Sequence, residues 1–216
     1  SAGAMSLAGF CLCGEQDLIS SDVMADAHHP RLDDRDTPGG SGIHGDFFSL
    51  VGGAYVETHY TERGRLGRLI GVFAKAAEDS GGEARLAVGL ENATGIVVRD
   101  GVASVIGEGA VSFVTTTDET VMVRTPGAPV HVTNLRLDRL TQGWRYDLAA
   151  LAPDVAMAPA DTEAVTWRGP GEANVGAWRV SGASEADVLR FEWVLDYHPD
   201  PYAPARPPPP RFVRDA

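Results

Sequence analysis

The sequence predicts an α/β protein with a β-rich second half, on three observations. Leu66, Leu69, Ile70, Phe73, Ala74 and Ala77 recur at the i, i+3, i+4, i+7 spacing of one helix face. From residue 84 on, short runs rich in Val, Ile and Phe follow one another: ARLAVGL, TGIVV, VASVIG and AVSFV. Asp100-Gly101 separates two of them, which is a strong hairpin signal.

In chain order, residues 2–12 are small and apolar and are expected to open a buried helix. Residues 14–46 are acidic, contain Pro38-Gly39-Gly40 and hold no sustained period, so a long irregular excursion is expected. Ala54–Glu57 is a short β-favouring run. The amphipathic helix follows almost at once and stops at Gly81-Gly82, which places His59 and Tyr60 in a strand-to-helix turn. After the hairpin, PVHVTNLRLDRL alternates well enough for one more strand, and Gln142-Gly143 turns the chain into WRYDL. Beyond Leu151 the signal weakens. Trp167, Trp178 and Trp193 point to packing, VLRFEWVL reads as a short helix or a strand, and the proline-rich stretch from Pro199 to Pro210 is expected to be extended.

Length allows one good core and an appendage. The formal net charge of −12 argues against nucleic acid as a partner, because no basic surface is available to displace counterions. No apolar run reaches the length of a membrane span, and the apolar opening SAGAMSLAGFCLC lacks the basic residues of a secretory signal. Cys11 and Cys13, two residues apart, are poorly placed to bridge one another. Reduced thiols and a cytoplasmic location are the expectation. His28 and His29 lie among Asp26, Asp33, Asp34 and Asp36, a set that could bind a metal, but a solvated acidic loop is the preferred reading. His131 is read as a structural histidine on a strand. No cofactor and no metal are called for.

Four stretches together resemble the serine peptidase family that contains cyanophycinase and peptidase E. Ser1-Ala2-Gly3-Ala4 is similar to its nucleophile motif. Glu57-Thr58-His59-Tyr60, with Arg63-Gly64-Arg65-Leu66-Gly67-Arg68-Leu69, resembles its histidine segment and the helix after it. Gly89-Leu90-Glu91-Asn92-Ala93-Thr94, with Val105-Ile106-Gly107-Glu108-Gly109-Ala110-Val111, is the third stretch, and Leu140-Thr141-Gln142-Gly143-Trp144-Arg145-Tyr146-Asp147-Leu148 is the fourth.

The resemblance implies a Rossmann-like sheet of the class I glutamine amidotransferase-like kind. Residues 1–151 would form the C-terminal part of the hydrolase domain, with 14–46 as a long insertion, and 152–216 an extension. A separate N-terminal chain would complete the sheet, in a two-chain unit expected to form a higher homo-oligomer. It implies Ser1 as nucleophile on a tight elbow that its small neighbours permit, and His59 as the base that serine needs. The Ala2 N–H would be one oxyanion donor. A carboxylate should orient His59; Glu15 is favoured, with Asp17 and Asp22 as the other candidates. Of the arginines at the helix start, Arg63 is expected to grip a substrate carboxylate, unless it is a helix-surface residue paired with acids such as Glu62. Glu57 is expected to position the turn or contact substrate.

The implied reaction is hydrolysis of a peptide or isopeptide bond at an aspartyl group. A chain that starts on its own nucleophile is also expected to have matured by autoproteolysis before Ser1. A binding or assembly protein on this fold, and acyl transfer to an amine, are the competing readings.

Overall fold

The computed structural model describes residues 2–13, 18–33, 42–44, 48–154, 156, 165–168, 177–181, 188–192 and 211–214. The elements are α1 (Ala2–Met5), β1 (Ala8–Cys13), α2 (Ser20–Ala25), α3 (Pro30–Asp33), β2 (Gly42–His44), β3 (Val51–Glu57), α4 (Leu66–Asp79), β4 (Leu86–Leu90), β5 (Thr94–Arg99), β6 (Val102–Gly107), β7 (Ala110–Thr115) and β8 (Val121–Val123). There follow β9 (His131–Thr133), β10 (Arg136–Thr141), β11 (Arg145–Asp147), β12 (Ala152–Pro153), β13 (Val165–Arg168), β14 (Ala177–Ser181), β15 (Val188–Glu192) and β16 (Arg211–Arg214). This is a mixed α/β protein in which strands dominate.

A ten-stranded sheet runs in the order β16-β15-β14-β13-β10-β7-β4-β3-β1-β2. Toward one end of the sheet β4, β3 and β1 are parallel neighbours, and β3–α4–β4 is a βαβ unit. From β7 outward every pairing is antiparallel, and β13 continues the sheet beyond β10 through Leu137 opposite Trp167. The strands β13 to β16 therefore extend the main sheet instead of forming one of their own.

Two apolar layers cover the sheet's faces. On one face, Tyr55 and Ala87 meet Leu69, Val72 and Phe73 of α4 and Val23 of α2. On the other, Ala54, Val56, Val88 and Phe113 meet a second sheet, β12-β11-β6-β5, through Ala103, Val105, Trp144 and Tyr146. The alternation of Ala54, Tyr55 and Val56 between layers is the period of two that a strand imposes. The Tyr146 ring stacks on Phe113 at 4.0 Å between centroids, so the WRYDL stretch joins the two sheets. Two glycines of α4 admit α2 at close range. A Cβ on Gly71 would lie 1.9 Å from Val23 Cγ1, and one on Gly67 would lie 2.4 Å from Met24 Sδ.

The helix at 66–79, the four short strands and the hairpin agree with expectation. Asp100 and Gly101 both have positive φ, 50° and 77°, as a two-residue type I′ turn requires. Three expectations are corrected. Only residues 2–5 of the opening segment are helical, because Ala8–Cys13 is a strand within the sheet; a short apolar run has no period that separates the two. The excursion at 14–46 contains α2, α3 and β2. The segment 129–140 is two strands, β9 and β10, divided at Asn134, whose φ is 56°. VLRFE resolves as strand β15. Trp193 and Pro199–Pro210 lie outside the described residues.

Candidate functional site

β3 ends on a carboxylate with no access to solvent. Glu57 is 0% exposed, and both of its oxygens are taken. Oε1 accepts from Arg65 Nη1 at 2.9 Å, Arg68 Nη2 at 2.8 Å and the Thr58 N–H at 3.2 Å. Oε2 accepts from Arg68 Nε and from the Tyr55 hydroxyl, each at 2.8 Å. Burial alone would raise the Glu57 carboxyl, but the bidentate Arg68 guanidinium, Arg65 and Tyr55 outweigh it and hold it below the ordinary range. The same cluster pins the surrounding chain. Arg65 Nη1 also donates to Thr58 O, Arg68 Nη1 donates to Leu18 O, and Ser20 Oγ donates to Gly64 O while accepting from the Arg68 N–H. Glu57 thus positions the turn. No face of its carboxylate is open to solvent.

The turn between β3 and α4 is held from its other side as well. The Tyr60 N–H donates to Leu90 O, Arg65 N–H to Tyr60 O, and Arg63 N–H to His59 O. Thr61 Oγ1 donates to Glu91 Oε1 at 2.7 Å, while Glu91 Oε2 accepts from the Ala110 N–H and Arg139 pairs with the same carboxylate. The Tyr60 ring lies flat on Gly89, where a Cβ would sit 2.7 Å from it. Gly107, at φ 111°, lies so close to Ala93 O that a Cβ would approach to 2.1 Å. The third sequence stretch is therefore scaffolding that fixes Glu91 and, through it, the turn.

His59 emerges from this frame in a left-handed conformation, φ 50°. Such a conformation is uncommon for a residue with a Cβ and is over-determined here by the bonds on both sides. Its ring is half-buried at the carboxyl end of a parallel strand, where open α/β sheets bind their ligands. Burial, and then the charges of Arg63 and Arg65, lower the imidazole from its ordinary 6.5, with Glu62 opposing them. These influences favour the neutral ring, the form that can accept a proton. Arg63 is exposed in the same turn, while Arg65 and Arg68 are spent on Glu57.

α1 lies against β1 and β3, and Ala2 is its first residue. Ser1, Glu15 and Asp17 lie outside the described residues. Asp22 sits in the first turn of α2, where its Oδ2 accepts from the Ile19 N–H; it is a helix-capping residue. Asp26 is likewise committed to backbone, accepting from the N–H groups of His28 and Gly127. Among the described residues no three His, Cys, Asp or Glu side chains gather as a metal site. His131 is exposed on β9.

Glu62 has no role assigned to it by the sequence beyond a surface pairing with Arg63, and Arg65 and Arg68 turn inward to Glu57. Both Glu62 carboxylate oxygens are buried without a hydrogen-bond partner among the described residues. The signal available in the sequence was its spacing, three residues after His59 in a turn.

No protein-family model and no curated protein matches this chain.

Proposed function

We propose that this protein is a serine hydrolase on a Rossmann-like sheet that cleaves peptide or isopeptide bonds at aspartyl groups, with Ser1 as nucleophile and His59 as base. The observation that carries this reading is the setting of His59. It is a partly exposed imidazole whose protonation its surroundings disfavour, held at the carboxyl end of a parallel strand, with the exposed Arg63 in the same turn. The α1 start at Ala2, which leans on the same strand, supports it further.

In this mechanism Ser1 Oγ attacks the scissile carbonyl carbon as His59 takes its proton. The carbonyl oxygen becomes an oxyanion that accepts from the Ala2 N–H. The C–N bond then breaks, and His59 gives the proton to the leaving amine. Water, deprotonated by His59, opens the acyl-enzyme and regenerates Ser1. Arg63 binds a carboxylate of the substrate beside the scissile bond. Among the described residues β2 covers only Cys11–Cys13 of the outer edge of β1, and a further strand bearing the second oxyanion donor would join at Ala8–Phe10.

The test is labelling by a fluorophosphonate and hydrolysis of β-aspartyl dipeptides by the full protein. Ser1→Ala is expected to abolish labelling, and His59→Ala to cut hydrolysis by about a thousandfold or more. Labelling that survives in Ser1→Ala would refute the assignment.

A further inference from the structure

The second sheet, β12-β11-β6-β5, packs one of its faces on the main sheet. Ala103, Val105 and Tyr146 lie on that inner face with Ile96 and Val98, so alternation puts Val97, Arg99, Val102, Ser104 and Arg145 on the outer one. The strand register brings these residues together. Ser104 lies between Val97 of β5 and Arg145 of β11, and Val102 lies opposite Arg99. Arg99 and Arg145 are therefore two strands and two residues apart, about 12 Å between Cα atoms at ordinary sheet spacings. Both line one cavity of about 310 Å³, together with Val97, Val102, Ser104 and, in the hairpin turn, Asp100. Neither arginine has an ion pair or a side-chain hydrogen bond among the described residues, and Asp100 pairs with neither. The other acid near by register is Asp147, opposite Val102, and its Oδ1 already accepts from the Ala149 and Ala150 N–H groups. Elsewhere Arg65, Arg68, Arg124, Arg136 and Arg139 each find a carboxylate. In a chain with 30 acidic residues against 18 Lys and Arg, two arginines left unpaired around one cavity stand out.

We propose that this outer face binds a small dicarboxylate, with one carboxylate on Arg99 and the other on Arg145. Its carbon chain would cross Val97 and Val102, and the Ser104 hydroxyl would donate to the carboxylate at Arg145. Arginine suits the task because its planar donors match a carboxylate two at a time. The two positive charges are held apart by an apolar floor. A compact anion such as phosphate would reach one guanidinium and leave the valines uncovered, and so would a single carboxylate. The volume lies at the lower end of the range for small-molecule sites, which suits a body of a few carbons. Asp100 opposes the ligand by its charge and limits how tightly the site holds it. The site lies on the second sheet, away from His59, and does not depend on the hydrolase reading.

The test follows backbone amide shifts by NMR in the full protein at low ionic strength while succinate is added, with acetate and inorganic phosphate in parallel titrations. Succinate should move the amides of residues 97–104 and of Arg145 saturably, with a Kd on the order of 1 mM, and added salt should weaken it. Acetate should bind about tenfold more weakly. Arg99→Gln and Arg145→Gln should each weaken succinate about fivefold to tenfold, while Asp100→Asn, which removes an opposing charge, should tighten it about twofold. All three residues lie outside the core, so the melting temperature should hold and the variants remain comparable. The proposal is overturned if succinate leaves these amides unmoved, if acetate binds as well as succinate, or if either arginine variant binds like wild type. Tighter binding of phosphate than of succinate at the same amides would assign the cavity to a compact anion, and the dicarboxylate would be excluded.

Discussion

The end of β3 and the turn that follows it treat their carboxylates in opposite ways. Glu57 is sealed from solvent and saturated by two arginines, a tyrosine and a backbone N–H. Glu62, five residues on, is shielded and left without a partner among the described residues. The arginines could have been shared, since Arg63, Arg65 and Arg68 all lie within eleven residues of both acids, yet the fold gives two of the three to Glu57. That division shows what each region is for. The first spends its charges on making the turn rigid, and the second leaves the Glu62 oxygens unpaired among the described residues. Precise placement of a reactive group demands supports of its own, and those supports contain no reactive group.

Breaking the Glu57 cluster should have the largest effect. Arg68→Met removes a guanidinium that contacts both Glu57 oxygens and Leu18 O, leaving a buried carboxylate with three of its five hydrogen bonds. A loss of about 3–5 kcal/mol in urea unfolding is expected, with hydrolysis lost as the turn loosens. The pH dependence follows from the lowered Glu57 carboxyl. Its contribution is complete above the unfolded value near 4.5 and disappears as pH falls through the lower folded value. Wild-type stability should therefore fall in that acid window, and Arg68→Met should flatten the fall. A variant as stable as wild type would show that the cluster holds nothing in place.

The contacts behind the turn come next. Gly71→Ala puts a methyl 1.9 Å from Val23 Cγ1, a short branched side chain anchored on α2 that must move with its helix. About 1–3 kcal/mol should be lost. Gly89→Ala would push on the Tyr60 ring, which neighbours His59 in the chain. Its distinguishing mark should be a fall in kcat that exceeds what its melting temperature accounts for. If Gly89→Ala loses stability and activity in proportion, then Tyr60 is core packing and does not position His59.

These contacts also show which parts of the structure were legible in the sequence. The α4 stripe repeats over three turns and can be read directly, as can the Asp100-Gly101 hairpin, whose dipeptide permits few other conformations. His59 was placed at its turn by the strand and helix on either side. The helix α2 was not legible. It is six residues long, and it is held by the flat face that Gly67 and Gly71 present from a segment far along the chain. The roles of Glu57 and Glu62 were equally hidden, because local spacing offers Arg63, Arg65 and Arg68 to both. Only the burial of the β3 end, a tertiary fact, decides which acid the arginines serve. The strand β1 shows the same limit, its Ala-Gly-Phe-Cys run fitting either period.

The smallest predicted effect sharpens the comparison most. Arg63 is exposed, so Arg63→Gln should change stability by no more than about 0.5 kcal/mol. Its charge nevertheless lowers His59, and its removal should let the imidazole midpoint rise by about a few tenths of a pH unit. Glu62→Gln should move the same midpoint downward. Two substitutions on either side of one peptide bond would then shift a single histidine in opposite directions, with neither unfolding the turn. High salt should shrink the Arg63 effect, because that charge faces water, and spare more of the Glu62 effect, because those oxygens do not. Equal screening of the two would mean that Glu62 reaches His59 through solvent, as Arg63 does.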